Sequence, residues 1–263
     1  MQTVVHDGRT TAYRVVEGDE SGPVALYVHG SGGSHRVWAN QYAPGGPTHP
    51  AAAVDLSGHG ESEDVDTPPG TDTLTAYASD VVAVAREIDA NVLVGNSLGG
   101  AVALWAVLET DWRPDALVLT GSGPSLPVYD ALREWLDDDF DRAVEFLHGR
   151  DRLLHSTDET LLSRSREQMR AVGRAVTRRD FLTCHEFDVT DRLGEIDAPT
   201  LALCGEHDKL TPREYHERLA AEIPDGEFAF VPDAAHLAML ERPAAFNDIV
   251  ADFLRSRLGT NED

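Results

Sequence analysis

The sequence predicts an α/β fold: a mostly parallel, twisted sheet flanked by helices, with one helical insertion. Three observations carry this. Short, nearly unbroken apolar runs recur at 24–28, 51–54, 92–94, 116–119, 201–203 and 228–231, the pattern of strands covered on both faces. Helical patterns alternate with them at 74–88, 97–108, 212–223 and 236–258, as strand-helix-strand units require. One stretch, 124–193, breaks the rhythm with charged helical patterns and no strand-like run.

Taken in order, the chain opens on Thr3-Val4-Val5-His6, then Asp7-Gly8, then Thr10 to Val16. Asp-Gly between two β-rich runs signals a hairpin. A polar connection over 17–22 leads to Val24-Ala25-Leu26-Tyr27-Val28, the first buried strand. Within 124–193 the helical stretches are Tyr129 to Gly149 and Glu159 to Val176. That is too much helix for a crossover, so residues 1–123 and 194–263 are expected to form one core domain, with 124–193 a helical cap over the strand ends. The chain shows no internal repeat and no low-complexity segment.

Composition fits this reading. The 263 residues are 41% hydrophobic and 26% charged, as in a globular domain. No apolar run approaches the roughly 18 residues of a membrane span, and the N-terminus lacks the layout of a signal peptide. With only Cys184 and Cys204 there is no disulfide framework, and the expected address is the cytoplasm. Charge is the unusual feature. Forty-six acidic residues face 22 basic ones, a formal charge of −24, and Lys209 is the only lysine. Such a field repels nucleic acid and anionic membranes, so neither is an expected partner. It also predicts a fold that gains from molar salt, the pattern of proteins from salt-accumulating organisms, because the screening length then shrinks to about 3 Å. Oligomeric state is not legible.

The strongest local signal is Val92-Leu93-Val94-Gly95-Asn96-Ser97-Leu98-Gly99-Gly100-Ala101. It is G-x-S-x-G between a short apolar strand and an alanine-rich helix. So sharp a turn needs small residues beside the serine, and it exposes Ser97 Oγ at a helix N-terminus, where negative charge is favoured. A nucleophilic serine needs a base and a group that orients the base. Asp208 follows the 201–204 run in Gly205-Glu206-His207-Asp208-Lys209, and His236 follows the next run in Pro232-Asp233-Ala234-Ala235-His236. Both fall at C-terminal strand ends, where open α/β sheets bind ligands. Glu206 and His207 are the local rivals. His29 and His59 sit in glycine-flanked loops and are read as bracing groups. Cys184 is read as a packed thiol, having no helix-start or cationic setting. No Cys/His/Asp set has zinc spacing, and no phosphate-binding or dinucleotide-binding glycine pattern follows a strand, so neither metal nor cofactor is expected.

Taken together the sequence resembles the α/β-hydrolase family, over nearly the whole chain outside the insertion. Besides the elbow, the resemblance rests on His29-Gly30-Ser31-Gly32-Gly33-Ser34, Asp55-Leu56-Ser57-Gly58-His59-Gly60-Glu61-Ser62 and His236-Leu237-Ala238-Met239-Leu240-Glu241-Arg242-Pro243. Asn96 departs from the histidine often found at that elbow position. The resemblance implies an α/β-hydrolase fold, Ser97 as nucleophile, His236 as general base then acid, and Asp208 as the orienting carboxylate. It also implies an oxyanion hole built from the backbone N–H groups of Ser31 and Leu98. The expected activity is cofactor-free hydrolysis of small, largely apolar carboxylic esters. Triad-bearing lactonases, C–C bond hydrolases, perhydrolases and lyases share this motif set, and a non-catalytic small-molecule binding protein is the alternative of a different class. A serine nucleophile argues against haloalkane dehalogenases and epoxide hydrolases, which use aspartate there.

Overall fold

The computed structural model describes residues 1–16, 22–43, 45–47 and 50–259; most of the polar connection expected at 17–22 lies outside them. The described elements run β1 (Gln2–His6), β2 (Arg9–Val16), β3 (Ala25–Val28), α1 (Ala39–Tyr42), β4 (Ala51–Val54), α2 (Thr71–Glu87), β5 (Val92–Asn96), α3 (Leu98–Glu109) and β6 (Ala116–Thr120). Four helices follow before the sheet resumes: α4 (Asp130–Asp138), α5 (Phe140–Leu147), α6 (Glu159–Val172) and α7 (Arg174–Glu186). The chain closes with β7 (Thr200–Gly205), α8 (Arg213–Glu222), β8 (Gly226–Val231), α9 (Ala238–Glu241) and α10 (Pro243–Leu258).

The eight strands form one sheet in the order β1-β2-β4-β3-β5-β6-β7-β8. The hairpin β1–β2 and the β2–β4 pair are antiparallel, and every other pairing is parallel. Strand pleat divides the buried side chains into two cores. Leu26, Val28, Leu93, Leu117 and Leu119 face Leu74, Tyr77 and Val81 of α2, the apolar side of α3, and Leu219 of α8. Tyr27, Val92, Val94, Val118 and Leu203 face Trp38 and the Phe246, Val250 and Phe253 stripe of α10. Helices thus cover both faces, which is why these strands read as continuous apolar runs rather than alternating ones.

Two predicted helical stretches are broken, each for a local reason. The 129–149 stretch divides at Asp139, which is not helical (φ −146°, ψ 75°) and whose side chain accepts from Arg142 N to cap α5. The 159–176 stretch divides at Gly173 (φ 87°), which ends α6 and starts α7. The expected 236–258 helix likewise begins later and in two pieces. His236 and Leu237 lie in a loop, and Pro243 restarts the helix at its first position.

Candidate active site

Ser97 occupies the turn between β5 and α3 with φ 55° and ψ −118°, a left-handed conformation that a non-glycine residue holds only when its surroundings impose it. Those surroundings are identifiable. Ser97 N donates to Thr120 O at 3.0 Å, and Ser122 Oγ donates to Ser97 O at 3.0 Å, fastening the turn to the end of β6. The flanking glycines have no room for a side chain. A Cβ on Gly95 would lie 2.3 Å from Gly99 O, and one on Gly99 would lie 2.3 Å from Val28 O. Leu98 is the first residue of α3, where the backbone N–H has no partner one turn earlier.

Asp208 and His236 come together as neighbours. His236 Nδ1 lies 2.9 Å from Asp208 Oδ2, and their side chains are 4% and 1% exposed. The carboxylate is saturated. Oδ1 accepts from Leu210 N (2.8 Å) and Thr211 N (3.1 Å), while Oδ2 accepts from Thr211 Oγ1 (2.7 Å) as well as facing the imidazole. Burial opposes ionisation of Asp208, but the nearby His236 and the Thr211 hydrogen bonds outweigh it and hold the carboxyl below its ordinary range. An anionic acceptor at Oδ2 requires His236 to carry its proton on Nδ1, leaving Nε2 as the basic nitrogen. The histidine loop is itself tied down: His236 N donates to Arg152 O, Ala235 N to Glu241 Oε2, and Asn96 Nδ2 to His236 O at 3.3 Å. Asn96, one residue before the serine, therefore links elbow and histidine loop, a role its departure from the usual residue did not reveal.

Ser97 and His236 line one cavity of about 780 Å³ together with Ser31. No hydrogen bond joins the two side chains among the described residues; such contacts commonly tighten only when substrate binds. The cavity floor is the C-terminal edge of the sheet. Its remaining lining is largely apolar and comes in good part from the helices between β6 and β7, including Leu132, Leu161, Met169 and Phe181. Gly30 lies against Ser97, since a Cβ there would sit 3.0 Å from Ser97 Cβ. The peptide joining Gly30 and Ser31 therefore lies close to the Ser97 side chain.

The bracing histidines have definite protonation states. His29 Nδ1 lies 2.8 Å from Gly30 O, so it donates, while Nε2 accepts from Leu56 N at 3.1 Å. His29 is thus neutral, and burial pulls its pKa down to about 4. His59 faces two acceptors, Ser57 O through Nδ1 (3.2 Å) and Asp180 Oδ2 through Nε2 (2.9 Å), so both nitrogens donate and the ring is cationic. Burial works against that charge, but Asp180 more than offsets it and raises the pKa. Cys184 is buried, its thiol pushed up to about 12 by burial, and its Sγ lies 3.7 Å from Ser31 Oγ. His207 stacks on His155 at 4.0 Å between centroids. Sequence spacing gave no metal-ligand set, yet the fold brings Glu206, His207 and Asp233 to the surface with one ligand atom each within 4.8 Å of the others. Glu206 Oε2 is already engaged by Asp233 N. Among the described residues no helix is long and apolar enough to cross a membrane.

Comparison with known proteins agrees with the architecture. Residues 25–249 match the family model described as the alpha/beta hydrolase family. A 2-hydroxy-6-oxo-6-phenylhexa-2,4-dienoate hydrolase from Burkholderia cepacia is 29% identical, covering 89% of this chain and 88% of its own. The solved structure of a thermophilic esterase is 31% identical with a TM-score of 0.83, covering 97% of both chains. A solved N-acyl homoserine lactone degrading enzyme is 26% identical, also with a TM-score of 0.83, covering 96% of this chain and all of the other.

Proposed function

The chain belongs to the alpha/beta hydrolase family and is a hydrolase, and from that premise we propose that it cleaves small, largely apolar carboxylic esters through an acyl-enzyme on Ser97. One observation carries the proposal: a serine held in a left-handed strand-to-helix turn opens into the same apolar cavity as a histidine whose far nitrogen is paired with a buried carboxylate. The similarity to a thermophilic esterase supports the ester assignment.

In this reading His236 Nε2 takes the Ser97 proton as Oγ attacks the ester carbonyl. Asp208 keeps the other nitrogen protonated and stabilises the charge that the ring acquires. The oxyanion of the tetrahedral intermediate lies against the N–H groups of Ser31 and Leu98. His236 then protonates the departing alkoxide, and a water activated by the same nitrogen releases the acid. The 124–193 helices act as a cap that supplies the acyl pocket and limits water. Lactones are cyclic esters open to the same attack, and the lactone-degrading structural neighbour favours including them in the substrate range. The test is a series of p-nitrophenyl esters of graded chain length, with a lactone added. Turnover is expected, and Ser97→Ala is expected to abolish it while the protein stays folded. Full activity in that variant, or no hydrolysis by the unaltered protein, would defeat the proposal.

A further inference from the structure

Asp180 has no place in the chemistry just described, yet it is the most completely engaged carboxylate of the insertion. It lies on α7, its side chain is fully buried, and its neighbours belong to the core domain. Oδ2 accepts from Gly32 N at 3.1 Å and from the cationic His59 at 2.9 Å; Oδ1 accepts from Tyr77 OH at 2.8 Å. The adjacent Arg179 extends the tie by donating to Val65 O, Asp64 Oδ1 and Tyr77 OH.

What this carboxylate holds is the glycine loop after β3. A peptide group's C=O and N–H point in opposite directions, so fixing one aims the other. Gly30 O accepts from His29 Nδ1 at 2.8 Å and from Gly33 N at 3.1 Å, which fixes the Gly30–Ser31 peptide and aims Ser31 N–H away from those donors. The next peptide, Ser31–Gly32, is fixed by the bond from Gly32 N to Asp180. The two planes on either side of Ser31 Cα are thereby clamped, one by a neutral histidine of the core and one by an anion of the insertion. Gly32 is itself left-handed (φ 65°), and a Cβ there would meet Met169 Cγ of α6 at 3.0 Å, so the insertion also closes over the loop.

We propose that Asp180 is a positioning residue, through which helix α7 fixes the peptide after Ser31 and so, with His29 holding the peptide before it, keeps the Ser31 N–H in place for the oxyanion. This rests on the ester-hydrolase reading above and gives the insertion a second duty besides lining the pocket. A charge-assisted bond to a backbone N–H is roughly twice as strong as a neutral one, and losing an oxyanion donor altogether costs about 10²–10³ in kcat. Weakening the clamp without removing the donor should cost less.

The test compares Asp180→Asn with Tyr77→Phe. Tyr77→Phe deletes a buried hydrogen bond to the same carboxylate but leaves the Gly32 clamp, so it should lower Tm and leave kcat within about twofold. Asp180→Asn should lower kcat about ten- to a hundredfold with KM within about twofold. It should weaken binding of a trifluoromethyl ketone, which forms a tetrahedral oxyanion, by the same factor, and speed amide exchange over 29–33. Should the orphaned His59 charge prevent folding, His59→Gln/Asp180→Asn carries no unpaired charge and should still show the kcat loss. Unchanged kcat in a folded Asp180 variant, or a rise in KM alone, would overturn the proposal. So would equal kcat losses in Asp180→Asn and Tyr77→Phe. An unaltered protein with no Ser97-dependent turnover would instead sink the ester-hydrolase reading, and with it the catalytic meaning of the clamp, whatever the exchange data show.

Discussion

Replacing Asp208 by asparagine changes one atom, and the hydrogen bonds around it dictate the consequence. Oδ1 accepts from two backbone N–H groups, Leu210 and Thr211, which cannot turn round. The amide oxygen of an asparagine must take that position, so its NH₂ falls at Oδ2, 2.9 Å from His236 Nδ1. The NH₂ is a donor, so Nδ1 must become an acceptor and the ring proton must move to Nε2. A ring protonated at Nε2 cannot take the proton of Ser97. The shape of the site survives and its tautomer is wrong. In serine hydrolases such a change costs about 10⁴ in kcat, about 5.5 kcal/mol at roughly 1.36 kcal/mol per decade. Thr211 Oγ1 can rotate to accept from the NH₂, so no buried donor is orphaned and Tm should fall by only a few degrees. The assay is saturation kinetics on the best p-nitrophenyl ester, with thermal unfolding on the same sample. A folded Asp208→Asn enzyme retaining more than about a tenth of wild-type kcat would refute the tautomer argument.

Gly99→Ala forces a Cβ to 2.3 Å from Val28 O and 2.7 Å from His29 O; both are backbone, so the variant should lose several kcal/mol or fail to accumulate, and a wild-type Tm would contradict this. His29 and His216 are both buried and drawn down to about 4. The unfolded chain takes up protons at these sites below about pH 6.5 while the folded chain stays neutral. Stability should therefore be complete above pH 6.5 and fall toward pH 4, by on the order of 3 kcal/mol per histidine. A denaturant midpoint that is flat across that window would rule it out. The charge of −24 predicts that Tm rises between dilute buffer and molar salt; equal values would remove the case for a salt-adapted protein.

The sheet was legible because its central strands are covered on both faces, so a strand such as β5 shows as the unbroken apolar run 92–94. The elbow was legible because its geometry admits so few residues at 95 and 99. Asp208 and His236 were legible from strand-end position, though nothing in the sequence announced Thr211, whose bonds to the carboxylate depend on how the loop folds. Helix ends between β6 and β7 were harder. The 129–149 stretch read as one helix, and its charged pattern did not mark Asp139 as the cap that divides it. Asp180 was least legible of all. It follows two arginines in a helix with more bases than acids, and its partners Gly32, His59 and Tyr77 lie more than 100 residues away in the chain.

The nucleophile is the claim on which the rest depends, and covalent capture addresses it without knowledge of the natural substrate. Treatment with a fluorophosphonate followed by peptide mass analysis should place one adduct per chain on Ser97, formed quickly in the unaltered protein and very slowly in His236→Ala. An unlabelled protein, an adduct on another residue, or labelling that ignores the loss of His236 would contradict the account.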